Sequence, residues 1–114
     1  IGAWGTKLYD NDVALDVKGI YKDKYNKSKD GVTLTKEVFS ECSDFLTDIE
    51  DGPIVFLALA DLQMKDKILI EDVKNGALKA MIVDLENWKG DEEDYKARKK
   101  ELDKLKTKLE NYDL

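Results

Sequence analysis

The sequence predicts an all-α protein, a compact bundle of about five helices around one buried central helix, preceded by an irregular N-terminal arm. Three observations carry this. The run Ile54-Val55-Phe56-Leu57-Ala58-Leu59-Ala60 is apolar on every side, so it must be surrounded by other elements. Most of the remaining apolar residues recur at helical spacing. Turn and break signals at Asp30-Gly31, Asp51-Gly52-Pro53 and Gly90 divide these stretches from one another. A length of 114 residues suits one domain with one core, 1–114. A chain this size buries roughly two thirds of its unfolded surface and needs no disulfide or metal to hold it.

In chain order, the arm carries Gly2 and Gly5 around Trp4, and the indole is expected to pack on the core. Asp10-Asn11-Asp12 has helix-start chemistry, with Asn11 or Asp12 as N-cap. A first helix over 13–27 follows, with Val13, Val17, Ile20, Tyr21 and Tyr25 as its apolar stripe. A second helix is expected over 36–49, capped by Thr35, with Val38, Cys42, Phe45, Leu46 and Ile49 inward. The central helix spans 53–64. Asp51 caps it, and Pro53 sits in the first turn, where a missing N–H costs nothing. Its Leu-Ala-Leu-Ala texture, poor in β-branched residues, decides against a strand.

A fourth helix is expected over 71–88, with Val73, Ala77, Ala80, Met81 and Leu85 inward; Gly76 weakens it by about 1 kcal/mol relative to Ala. Gly90 stops it. The last helix starts at Asp91 with acids in its first turn and bases later, which complements the helix dipole. Tyr95, Leu102, Leu105, Leu109 and Tyr112 form its narrow stripe.

Composition limits the function. A formal charge of −6 disfavours nucleic acid and anionic membranes as partners and suits a basic protein. No apolar run approaches the length of a membrane span. The start, Ile1-Gly2-Ala3-Trp4-Gly5, lacks the basic end and apolar stretch of a signal peptide, and the lone Cys42 fits a reducing compartment, so a cytoplasmic protein is expected. Without histidine, His-based triads and His metal sites are excluded. No catalytic signature, cofactor or metal site is apparent, and the chain is not expected to be an enzyme.

The most informative pattern is acidic. Glu37, Glu41, Asp44, Asp48 and Asp51 follow at spacings of 4, 3, 4 and 3, which on one helix would fall on one face. No Lys or Arg occurs between Lys36 and Lys65. Like charges so placed destabilise a helix by roughly 0.2–0.5 kcal/mol per pair, so something should offset them. Either Lys18, Lys22 and Lys29 of the first helix neutralise the stripe, or it docks a basic partner.

Asp61, after seven apolar residues, needs donors if buried, and the Trp4 indole and the arm's amides are candidates. It is otherwise a raised-pKa acid in a cleft. Asp10 and Asp12 are caps, or with Asp61 a carboxylate site for a hard cation in a metal-dependent protein or enzyme. Cys42 reads as an inert core thiol, and Trp88 as core or edge packing or an interface anchor.

Gly2-Ala3-Trp4-Gly5, followed by Tyr9-Asp10-Asn11-Asp12, resembles the opening of a bacterial family, domain of unknown function 4259, whose members start Met-Gly-x-Trp-Gly and run on to an aromatic-Asp-Asn-Asp. Phe56-Leu57-Ala58-Leu59-Ala60-Asp61-Leu62-Gln63 is similar to that family's Ala-Leu-Ala-Asp-x-Gln segment. Two positions depart: Ile1 stands at the family's Met, and Met64 at a Trp that follows its Gln. The resemblance makes Trp4, Asp10, Asp12, Asp61 and Gln63 motif residues and implies a small cytoplasmic bacterial protein, with no activity to carry over. Small acidic proteins of this kind also look like immunity proteins of contact-dependent toxin systems. The expectation is therefore an inhibitor that neutralises a toxin domain, a basic nuclease, through an acidic surface of Glu37, Glu41, Asp44, Asp48 and Asp51, with Glu41, Asp44 and Asp48 facing its phosphate-binding site.

Overall fold

The computed structural model describes residues 4–114. Those residues form an all-α bundle of six helices: α1 (Asp12–Lys27), α2 (Gly31–Glu41), α3 (Ser43–Leu46), α4 (Asp51–Lys65), α5 (Glu71–Glu86) and α6 (Glu92–Asn111). The expected second helix is two, which accounts for the extra element. No helix among the described residues is long and apolar enough to cross a membrane.

The middle of α4 is buried on all faces from Leu57 to Gln63, as its uniformly apolar sequence requires. It packs chiefly on α5 and α1, and also on α3 and α6. The stripes of α1 (Val13, Val17, Tyr21), α2 (Leu34, Val38), α5 (Val73, Ala77, Met81) and α6 (Leu102, Leu105, Leu109) close around it in one continuous core. Gly76 is explained by this packing. The Phe56 ring lies on the α5 backbone where a Cβ would stand, and Phe56 in turn meets Phe39 at 5.1 Å between centroids.

Four local expectations are corrected. The second helix starts at Gly31 and is capped by Asp30, whose carboxylate accepts from the Thr33 amide (2.9 Å) and hydroxyl (2.7 Å). Thr35 is therefore inside the helix and is no cap. The Asp30-Gly31 pair reads as a turn, but here glycine lets the helix start approach the Ile68 carbonyl, which would lie 2.5 Å from a Cβ. The same helix ends at Glu41, and the chain bends at Cys42. Asp51 does not cap α4. It is the first residue of the helix, and the Asp48 carboxylate accepts from the amides of Glu50 (2.7 Å) and Asp51 (3.0 Å). An aspartate that bonds the backbone two and three residues on competes with helix continuation, which is why the expected helix over 36–49 does not run through. Finally, Trp4 is not packed on the core: it is 61% exposed. Ile1, Gly2 and Ala3 lie outside the described residues.

The end of α4 carries one backbone cost. The Ile68 amide reaches back to the Gln63 carbonyl (2.9 Å), and Lys67 takes a left-handed conformation with φ 59°. This is the helix-ending geometry that glycine normally supplies, and a side chain there costs roughly 1–2 kcal/mol. Lys67→Gly is expected to stabilise the protein by up to about 1 kcal/mol, since glycine's greater unfolded entropy offsets part of the relief. An unchanged or lower urea midpoint would contradict this.

Candidate docking surface

The bend at Cys42 redistributes the five acids. Glu37 and Glu41 stay on α2, Asp44 sits on α3, Asp48 holds the turn, and Asp51 opens α4. They are distributed over three successive helices and the turns between them, an acidic corner of the chain and not one helical face, and Glu50 joins them. Glu37 and Glu41 no longer share a helix with Asp48 and Asp51, while Asp48, Glu50 and Asp51 still repel one another. Asp48 is stabilised as an anion: the Asp51 and Glu50 amides hold its carboxyl below the usual aspartate range. Burial, followed by the nearby Asp48 and Glu50, pushes Asp51 up.

The lysines of the first helix do not neutralise this corner in the way the sequence suggested. Lys18 lies over the Tyr9 ring (5.2 Å) and Lys29 over the Tyr25 ring (5.0 Å), while Lys22 is exposed. Lys24 pairs with Glu41 at 3.3 Å, the one salt bridge to these five acids among the described residues.

In the turn before α4 stands Ile49, 73% exposed and flanked in the chain by Asp48 and Glu50. Helical spacing placed it on the core face. The helix ends before it, so that periodicity no longer applies. Its carbonyl accepts from Asn87 Nδ2 of the segment after α5 (3.1 Å), which together with the Asp48 cap pins the turn from both sides. The result is an exposed apolar side chain on a pinned turn, with an acid on either side of it in the chain. Pre-ordering of this kind lowers the entropic cost of binding.

The motif residues do structural work. Asn11, not Asp12, caps α1, accepting from the amides of Val13 (2.8 Å) and Ala14 (3.1 Å). Asp12 is exposed in the first helical turn. The Asp10 carboxylate packs against Gly5 with no room for a Cβ. Asp61 is buried, but its donors are not the Trp4 indole or the arm's amides. The Tyr9 hydroxyl donates to it (2.6 Å), and the Lys65 ammonium lies 2.9 Å away. Burial and the adjacent Asp61 hold the Tyr9 phenol well above its ordinary value, so the hydroxyl remains a donor. Gln63 is fully buried: its Nε2 donates to Thr35 Oγ1 (2.7 Å), and its Oε1 accepts from the Ile70 amide (3.4 Å). Among the described residues no three His, Cys, Asp or Glu side chains group closely enough to hold a metal ion, and Asp10, Asp12 and Asp61 do not converge as one site. Cys42 is buried, and burial raises its thiol pKa, as suits an inert core residue.

One cluster has no counterpart in the sequence reading. Asp84 of α5 and Arg98 of α6 are each 1% exposed and meet side-on, with Nε to Oδ2 at 2.7 Å and Nη2 to Oδ1 at 3.1 Å. Arg98 Nη1 also donates to the Thr6 carbonyl (3.2 Å), and the guanidinium lies 5.1 Å from the Trp88 ring centroid. This pair fastens the arm to α5 and α6. A signal was present: position 84 continues the 77, 80, 81 stripe, and 98 fills the gap between 95 and 102. Charged residues at core-facing positions imply a buried pair. Trp88 and Trp4 line a cleft of about 390 Å³ beside it, together with Glu50, Asp51 and Asp94.

No family model, curated protein or solved structure matches this chain.

Proposed function

We propose that this chain is an immunity-type inhibitor that binds and neutralises a basic toxin domain, a nuclease, in the bacterial cytoplasm. One observation carries the reading: exposed Ile49 on a doubly pinned turn, flanked in the chain by the carboxylates of Asp48 and Glu50. A rigid apolar anchor inside a charged rim is the composition of a specific protein interface. With a net charge of −6, the rim would accelerate encounter with a basic partner and set the orientation of docking. At a nuclease the carboxylates would occupy the site that holds substrate phosphates. The resemblance to domain of unknown function 4259 agrees with a small bacterial protein and adds no activity.

The test is a growth assay in which the toxin-like domain encoded beside this gene is expressed with and without the chain. Arrest alone and recovery together are expected; arrest in both cultures would overturn the inhibitor reading. A charge-altered variant then locates the surface. Glu37→Lys, Glu41→Lys and Asp44→Lys are combined with Asp48→Asn, because asparagine keeps the amide-capping role while losing the charge. Its complex should be weakened by a factor of roughly ten or more and lose most of its salt dependence. Wild-type affinity in that variant would move the interface elsewhere.

A further inference from the structure

We propose that the cleft between Trp4 and Trp88 seats one cationic side chain, an arginine or lysine, of the basic partner. This deepens the inhibitor reading and rests on it for the partner's identity, while the chemistry of the cleft stands on its own residues. The cavity, about 390 Å³, is at the small end of ligand sites, the scale of a single inserted side chain. Its lining combines the two groups that together recognise a desolvated cation: aromatic faces and carboxylates.

The charge balance is specific. Asp84, at the buried end, already gives both oxygens to Arg98, so its charge is already balanced. The three remaining carboxylates are those of Glu50, Asp51 and Asp94. No Lys or Arg side chain among the described residues pairs with any of them. Asp51 is partly withdrawn from water, and its pKa is raised by burial and by Asp48 and Glu50.

The aromatic part is equally distinctive. Trp88 already carries the Arg98 guanidinium at 5.1 Å, which shows that this environment suits a guanidinium over an indole. Trp4 has no Lys or Arg stacked on it among the described residues, and it is 61% exposed beside the carboxylates. The seat adjoins the acidic corner directly, since Glu50 follows Ile49 in the pinned turn. A partner that covers Ile49 would therefore bring a basic side chain within reach of the cleft.

The full-length chain tests this by fluorescence. Trp88→Phe leaves Trp4 as the sole tryptophan, and the reciprocal Trp4→Phe uses Trp88, so one reporter remains if the other variant fails to fold. The probe is a tetra-arginine peptide blocked at both ends, compared with its tetra-citrulline analogue, which is uncharged but nearly isosteric. A saturable spectral change with arginine and none with citrulline is expected. Asp51→Asn with Asp94→Asn should weaken it about fivefold or more, while Glu110→Gln with Asp113→Asn, exposed at and just beyond the far end of α6, should change it less than about twofold.

Three results would overturn the seat: no response, an equal response to citrulline, or equal losses from the two pairs of substitutions. The last would mean general attraction to an acidic protein. Failure here and failure of the inhibitor reading are separable. Growth rescue without a fluorescence response removes only the seat, and a response without any rescue leaves the seat and removes the toxin partner.

Discussion

Arg98→Ala is expected to lower the unfolding free energy by about 3–5 kcal/mol, because it strands the Asp84 carboxylate in a nearly dry site. Both Asp84 oxygens are bonded by this one guanidinium, and the side chains on each side are almost wholly buried. Against a typical total of about 5–15 kcal/mol, such a loss threatens the folded state itself. The same change frees the Thr6 carbonyl from its Arg98 donor and removes the cation beside Trp88, so the tryptophan emission should also shift. Urea unfolding of Arg98→Ala, Asp84→Ala and the double variant measures the coupling. The paired replacement Asp84→Leu with Arg98→Met should recover most of the loss, since removing both charges removes the desolvation cost along with the attraction. A single-variant effect below about 1 kcal/mol would show that the carboxylate finds water or another partner when Arg98 is absent.

Leu59→Ala should cost about 2–5 kcal/mol. Leu59 lies in the stretch of α4 that is enclosed on all faces, with neighbours from several helices that cannot all move in to fill the space. Incomplete collapse leaves a cavity, and the penalty grows by about 24 cal/mol for each Å³ that stays empty. Ile49→Ala is the instructive contrast. It removes an aliphatic side chain of similar size, yet at 73% exposure it should change stability by less than about 0.5 kcal/mol. Its effect should appear in binding to the proposed partner, as a loss of about 1–2 kcal/mol if Ile49 is the anchor of that interface. Thermal unfolding and titration calorimetry on the two variants would separate the core residue from the surface one. A large stability loss in Ile49→Ala would mean the side chain is part of the fold.

The contrast between Leu59 and Ile49 marks the division between what sequence alone determined and what the tertiary structure decided. Although α5 ends at Glu86 with Asn87 as its C-cap, before the expected stop at Gly90, the all-α class, the buried central helix and the inward stripes of α1, α5 and α6 were all legible. Each follows from periodicity or from backbone chemistry that acts within a few residues, and α4 has no polar face on which an alternative could be built. Asn11 as a cap and Asp61 as a buried, satisfied acid were legible for the same reason, although the identity of the Asp61 donors was not. Tyr9 reaches it from 52 positions away, and no local rule selects that hydroxyl over the Trp4 indole.

The candidate surface was legible only as composition. The acids Glu37 to Asp51 were visible, but their arrangement depended on whether Asp48 extended a helix or turned to cap the next one. Those alternatives differ by little locally, and the contacts of α3 and Asn87 with the rest of the bundle decide between them. The same decision exposed Ile49. Asp84 and Arg98 lay at core positions of two amphipathic patterns, where each alone looks like an error. Only the packing of α5 against α6, which brings a carboxylate and a guanidinium 14 residues apart within 2.7 Å, turns two unfavourable burials into one satisfied pair. Short-range chemistry therefore determined the helices, and long-range pairing determined which charges are spent inside the protein and which remain at its surface.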